Sequence, residues 1–376
     1  MTRHVLLVGF PRTFLARKAL EGLLEQNDAP RITCVVADSY RERAMAWLNA
    51  RPAAERERVE LTIGESWAID FGLSGHAYMA LARSVEVIHH CGALTYPNVD
   101  RETARLVNVN GTVEVVELAE AATRLERLVL WSSASASSPQ NGLATEQDLI
   151  KPSRFRGAVE ETRYQAERIV RAEMDHIPTT ILRPSIIVGD SRTGEIDRFE
   201  GPYLLVLLML NSPMDLRVPL PGRGDIPLNL VPIDYVVRAG LAITNNPRAA
   251  GHTFHLVDPN PPTVHRVFEL IAQAAGRRAP VGHLPTNLAT AVLRTPGLER
   301  FAQIPRTFLE QLATEVTYDA RNAREMLDGT GIECPPVASY LQTLVDHVRE
   351  RQKSQVRVRK QKSAQPEADD PLEPSA

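Results

Sequence analysis

VLLVGFPRTFLARKAL, residues 5–20, is the stretch on which the fold turns. An apolar strand ends at Gly9, a short turn follows, and an amphipathic helix begins near Phe14 and runs over about Ala16 to Glu25. A dinucleotide site needs glycines after its first strand, for the tight turn, for backbone approach to the pyrophosphate and for close packing of helix on sheet. Gly9 supplies the first. The second position falls on Arg12 or Thr13 and the third on Ala16, where a methyl group is a mild change. A side chain at the middle position occupies the volume where the diphosphate would lie. Arg12 is then a plug, a plain surface arginine, or a clamp whose guanidinium pairs with phosphate oxygens. Asp38, ending the second strand, is placed to accept ribose hydroxyls, which favours NAD over NADP; a helix N-cap is its other use.

Outward from this segment the same beat repeats. The runs ITCVVAD, VELTIG, VEVIHHCG, LERLVLWSS and TTILRPSIIVG read as buried strands. Between them lie helical stretches over about Tyr40 to Ala50, His76 to Arg83, Glu102 to Ala122 and Val159 to Asp175. Alternating strands and helices predict an α/β protein with a doubly wound, parallel Rossmann-like sheet of about six strands, covered on both faces. After Gly189 the rhythm breaks into a smaller, interleaved C-terminal substrate lobe. Its expected helices cover about Pro202 to Asn211, Val264 to Ala275, Leu284 to Leu293, Ile304 to Ala313 and Pro336 to Arg349. The expected division is 1–190 for the dinucleotide-type domain, rejoined by the helix at 232–244 and the strand at 253–258, then 191–350 for the lobe. From 351 to 376 the chain turns basic and then acidic, with almost nothing to bury, and is expected to be disordered.

The 376 residues are 43% hydrophobic, enough for a large core. A net charge of -3 provides no general attraction for nucleic acid or a membrane surface. The longest apolar run, YLLVLLML at Tyr203 to Leu210, is too short to span a bilayer. Cys34, Cys91 and Cys334 are odd in number and lack zinc or disulfide spacing, and no leader is evident, so a reduced cytoplasm and no metal are expected.

Several segments together resemble the extended short-chain dehydrogenase/reductases, most closely the branch of fatty acyl-CoA reductases and thioester reductase domains. They are FLARKAL, VIHHCGA, VNVNGTVEVVELA, SSASA, EETRYQAE, ILRPSIIVGDSRTGE and VPIDYVV, spanning about Val5 to Val237, with weaker likeness to Arg349. The resemblance implies a serine that polarises the carbonyl, an asparagine in a water relay, a tyrosine that passes the proton, and a lysine that supports tyrosine and cofactor ribose. Ser133 and Asn108 match the first two. Counting back from Glu161-Thr162 and Ala166-Glu167, the tyrosine position is Val159 and the lysine position is Arg163. Tyr164 and Arg168 repeat the pattern, but on another face of the helix.

Valine has no exchangeable proton, and losing positioned proton transfer costs ~10²- to 10⁴-fold in rate. Arg163 keeps a charge for ribose hydroxyls but does not titrate usefully. Tyr96, His89 and His90 are the substitute acids near the crevice. Cys91 is the candidate thiol for chemistry without the cofactor, against simple burial. The expected site is therefore Ser133, Asn108 and Arg163 for catalysis, with Val159 at the lost tyrosine, and Gly9, Arg12, Thr13, Asp38 and Arg163 for NAD or NADP, held weakly or not at all. The expected function is an impaired or non-catalytic member that binds a nucleotide, an acyl-type ligand or a protein partner. The alternative is a working NAD(P)-dependent oxidoreductase on a hydrophobic carbonyl, acyl or thioester substrate, with a rerouted proton, in which PYLLVLLML lines the acyl pocket. The family also implies a homodimer through the two long helices.

Overall fold

A computed structural model describes residues 2–96, 99–136, 141–211, 220–221, 224–279, 282–284, 312 and 314–364. Strands β1 (His4–Val8), β2 (Arg31–Val36), β3 (Val59–Ile63), β4 (Val87–His90) and β5 (Arg127–Trp131) alternate with helices α1 (Phe14–Leu24), α2 (Arg41–Asn49), the short α3 (Ala53–Arg56) and α4 (Gly75–Ser84). The expected long helix is divided into α5 (Arg101–Arg105), a π-helical turn over Leu106–Asn110 and α6 (Gly111–Ala121). Then come β6 (Gly142–Ala144), α7 (Ala158–Ala172) and β7 (Thr179–Pro184). With β11 (His252–Leu256) they form one parallel sheet of seven strands in the order β11-β7-β5-β4-β1-β2-β3, β6 standing apart.

Strand alternation sorts the core. Val5 and Leu7 face the layer of α1, α2 and α9 (Ile233–Asn245), while Leu6 and Val8 face the layer of α4, α6 and α7. Helix α9 lies directly on the sheet because Gly240 meets the Trp131 ring with no side chain between them.

The second lobe has its own core, built from α8 (Pro202–Asn211), α10 (Val264–Ala275) and α12 (Leu341–Ala364), with Val188 and Leu230. The run TTILRPSIIVG is not one strand. Pro184 cannot donate to a ladder, and beyond it β8 (Ile186–Val188) leaves the main sheet to pair with β10 (Leu230–Pro232). Short parallel pairs join β9 (Leu220–Pro221) to β12 (His283–Leu284), and β6 to β13 (Val316–Tyr318). Helix α11 (Arg321–Leu327) packs against β11 and α9.

Helix α12 starts at Leu341 and continues to Ala364, so residues 351–364 are helical where a disordered tail is expected. Extending a helix already packed on the lobe skips the costly nucleation step, and Gln, Lys and Arg are good helix formers. The acidic end at 365–376, and nearly all of the helices expected at Leu284 to Leu293 and Ile304 to Ala313, lie outside the described residues.

Candidate active site

The carboxyl ends of β1, β4, β5 and β7 open onto a cavity of about 440 Å³, closed on its far side by the second lobe. Gly9 has φ +111°, and a Cβ there would sit 2.7 Å from the Cys91 carbonyl oxygen and 2.8 Å from Gly92 Cα. The turn after β1 is thus pressed against the end of β4, which only glycine permits. Thr13 caps α1: its Oγ1 accepts from the Ala16 amide at 3.1 Å and donates to the Cys91 carbonyl at 3.0 Å. Ala16 is fully buried in the core, so its methyl fits. Arg12 reaches across the turn, donating from Nη2 to the Gly92 carbonyl, with its guanidinium 5.5 Å from the Trp67 ring centre. Its Nη1 is buried and has no hydrogen-bond partner. Arg12, Thr13, Phe14 and Leu15 all line the cavity.

Ser133, Val159 and Arg163 line the same cavity. Ser133, just past β5, shares a hydrogen bond with Ser135 Oγ at 3.0 Å. Val159 and Arg163 are one turn apart on α7 and present neighbouring side chains. Arg163 Nη2 donates to the Ser132 carbonyl at 2.9 Å, while its Nε is buried without a partner. Burial lowers the Arg163 guanidinium to about 10, the nearby Glu167 opposing the shift, so it stays charged at neutral pH. Behind it, Glu167 accepts from Ser132 Oγ at 2.6 Å, from Arg171 Nε at 3.1 Å and from Arg183 Nε at 3.0 Å. This fully buried ion pair holds the end of β5 against α7 and explains the arginine of the Arg-Pro strand.

Not every expected residue reaches the cavity. Asn108 is buried behind it in the π-helical turn, accepting from the Leu94 amide at 2.7 Å and donating to Thr162 Oγ1 at 3.0 Å. It holds the loop after β4, which does line the cavity, and is itself outside the lining. Asp38 is exposed, pairs with Arg41 at 2.8 Å and lies outside the lining, whereas Tyr40 and Arg43 are within it. His89 and His90 belong to β4 itself. His89 Nδ1 accepts from Trp131 Nε1 at 3.2 Å, and His90 Nε2 contacts Thr112 Oγ1 at 3.0 Å. Burial depresses them to about 3 and about 4, so both are neutral and neither is an acid for this cavity. Burial pushes the Cys91 thiol well up, which removes its nucleophilic form. Tyr164 packs on Phe155, with ring centres 5.6 Å apart, and is outside the lining.

The apolar helix α8 gives only Pro202 to the cavity; Tyr203, Leu205, Val206, Leu208 and Met209 fill the second core. A helix apolar all round is a buried helix, which is why it packs the lobe instead of serving as an acyl channel. Tyr96 does line the cavity, under the Arg198 guanidinium at 4.5 Å. Asn229, Tyr318 and Arg198 come from the second lobe and carry no local sequence signal. Segment 195–198 lies across the mouth: Asp197 pairs with Arg17, Glu195 pairs with Lys18 at 2.6 Å, and Arg351 Nη1 donates to the Ile196 carbonyl at 2.6 Å.

The sequence profile of the male sterility protein family, an NAD-binding domain, matches residues 13–240, more than half of the chain. The chain belongs to this family. Among the relatives of this male sterility-type domain, a linear gramicidin synthase of Brevibacillus parabrevis is 29% identical over 66% of the chain. The fatty acyl-CoA reductase wat of Drosophila melanogaster is 25% identical over 55% of the chain. The aligned parts span 5% and 45% of those two proteins. The terminal R domain of the myxalamid PKS-NRPS pathway superposes with a TM-score of 0.77 at 26% identity, over 93% of this chain and 91% of that one. Among the described residues no helix is long and apolar enough to cross a membrane, and no group of His, Cys, Asp or Glu could hold a metal ion. A nicotinamide cofactor fits the residues present, since Arg12 offers a buried, unpartnered N–H at the turn where a diphosphate would lie.

Proposed function

We propose that the protein is a nicotinamide-dependent reductase of hydrophobic acyl thioesters, with Arg12 as the phosphate clamp. One observation carries this reading: Arg12 and Arg163 line one cavity, and each keeps a buried nitrogen without a partner. Two unspent guanidinium donors suit an anionic cofactor and a developing oxyanion. The apolar lining from Phe14, Leu94, Val159, Ile187 and Leu228 suits an acyl chain. The fatty acyl-CoA reductase among the relatives supports the substrate class. Arg43 in the lining, with Asp38 turned to Arg41, makes selection of NAD through Asp38 weaker than the sequence alone implies.

Val159 favours a second reading, a family member that binds nucleotide or acyl ligand without turnover. Titrating NADH and NADPH by nucleotide fluorescence tests the first reading. At least one nucleotide binds, and Arg12→Ala weakens it about ten- to a hundredfold, the worth of one charge-assisted hydrogen bond. Failure of both nucleotides to bind overturns the proposal; appreciable turnover by the unmodified protein overturns the second reading. Dimerisation through α6 and α7 is proposed on family resemblance, and light scattering of the purified protein decides it.

A further inference from the structure

Resting on the reductase reading above, we propose that Asp197, a residue of the second lobe, selects the cofactor: its carboxylate withholds Arg43 from the 2′-phosphate of NADPH, so that the protein takes NADH in preference.

A sheet of this kind places the adenosine ribose beyond the end of its second strand, where a carboxylate accepts the ribose hydroxyls and an arginine accommodates a 2′-phosphate. Past β2, Tyr40 and Arg43 line the cavity. Arg43 on its own would favour NADPH. Asp38, exposed and paired with Arg41 at 2.8 Å, offers no carboxylate to the cavity. The carboxylate comes from far along the chain instead. Asp197 lines the same cavity, and its Oδ1 pairs with Arg17 Nη2 and lies 4.0 Å from Arg43 Nη2.

Asp197 does not depend on Arg43 for its place. The largely buried Arg17 ties it to the turn after β1, since Arg17 Nη1 donates to the Pro11 carbonyl at 2.9 Å. Arg351 Nη1 on α12 donates to the carbonyls of Ile196 at 2.6 Å and Asp197 at 3.2 Å, and Glu195 pairs with Lys18 at 2.6 Å. Drawing Arg43 toward a phosphate therefore leaves the Asp197 carboxylate where it is. A phosphate monoester carries a charge of about −1.5 to −2 at neutral pH. It cannot reach Arg43 without approaching that carboxylate, and like charges set together reject a ligand. The neutral hydroxyls of an unphosphorylated ribose meet no such repulsion. The other carboxylates of the lining have different partners: Glu160 pairs with Arg156 at 3.4 Å and Glu200 with Arg198 at 3.8 Å.

The test titrates NADH and NADPH into the full chain by nucleotide fluorescence, with Asp197→Asn and Glu195→Gln beside the unmodified protein. The unmodified protein binds NADH more tightly than NADPH. Asp197→Asn keeps the shape of the side chain and removes its charge. It strengthens NADPH about three- to tenfold, the size of one partly exposed contact with a nearly divalent group, and changes NADH less than about twofold. Glu195→Gln loosens the same segment from outside the cavity lining and leaves the ratio of the two affinities as it was. Calorimetry with adenosine 2′,5′-bisphosphate and AMP repeats the comparison without nicotinamide, and there Asp197→Asn strengthens the bisphosphate alone. Three results overturn this inference and leave the reductase reading standing: tighter binding of NADPH than NADH by the unmodified protein, a ratio that moves less than about twofold in Asp197→Asn, or an equal shift in Glu195→Gln. Binding of neither nucleotide, by the unmodified protein or by Asp197→Asn, overturns both.

Discussion

Gly9 combines a left-handed φ of +111° with a backbone contact that any Cβ would violate at 2.7 Å. Gly9→Ala is therefore expected to lose about 1–3 kcal/mol from conformation alone, and more from separating β1 and β4, seen as a lower midpoint in urea unfolding. Glu167 is the second residue on which much rests. Burial alone would raise its carboxyl, but the Arg183 and Arg171 guanidiniums and the Ser132 hydroxyl outweigh burial and hold it below the ordinary value of 4.5. A carboxyl whose folded pKa lies below its unfolded one contributes stability fully above the unfolded value and loses it as pH falls through the folded one. Glu167→Gln leaves Arg183 buried without its counter-charge, a cost of about 3–5 kcal/mol. Urea unfolding at pH 7 should show that gap, and it should narrow below about pH 4.5. A constant gap down to pH 3 would mean that Glu167 acts by packing and not by charge.

At the scale of elements, two glycines on helices should respond oppositely to the same methyl group. Gly240 on α9 has Trp131 Cζ3 2.8 Å and Leu182 Cδ1 3.0 Å from where its Cβ would be, so Gly240→Ala overpacks the helix–sheet contact and costs about 1–3 kcal/mol. Gly75, the first residue of α4, has nothing within 4 Å of that point, and Gly75→Ala should stabilise by about 0.4–1 kcal/mol. Thermal melting of the two variants checks both signs. The main sheet is legible in sequence because each of its strands is an apolar run bounded by a turn. The departure of β8 is not, since TTILRPSIIVG is apolar on both sides of Pro184 and only the partner strand β10 shows where Ile186 goes. The site divides likewise. Arg12, Ser133, Val159 and Arg163 converge because they sit at strand ends and on the facing helix, which motif spacing fixes. Asp38 does not: it follows the end of β2 in a short 3₁₀ turn, outside the lining, and its exposed carboxylate pairs with Arg41. His89 and His90 are misplaced by a short distance: they are the last residues of β4, inside the sheet, and not in the loop beyond it.

Across the whole molecule, charged side chains tie segment 195–198, beside the cavity, to helices of both lobes. Segment 195–198 is held on α1 by the Arg17–Asp197 and Lys18–Glu195 pairs, and on α12 by Arg351, all partly exposed. Partly exposed pairs are worth about 0.2–1 kcal/mol each and are screened by salt. The mouth should therefore open locally without unfolding of either core. Hydrogen exchange followed by mass spectrometry at low salt and at about 1 M salt separates the possibilities. Amides of 195–201 should exchange faster at high salt while those of β1, β4 and β5 stay protected. Lys18→Glu should raise exchange in the same segment about two- to fivefold at low salt, the equivalent of one such pair. Adding Glu195→Lys re-forms the pair with reversed polarity and should restore most of the protection, a recovery that simple loss of Lys18 packing cannot produce. If the double exchange fails to restore protection, the segment is held by the backbone contacts of Arg351 and by Phe199 stacking on Tyr203 instead, and the charges on α1 are incidental.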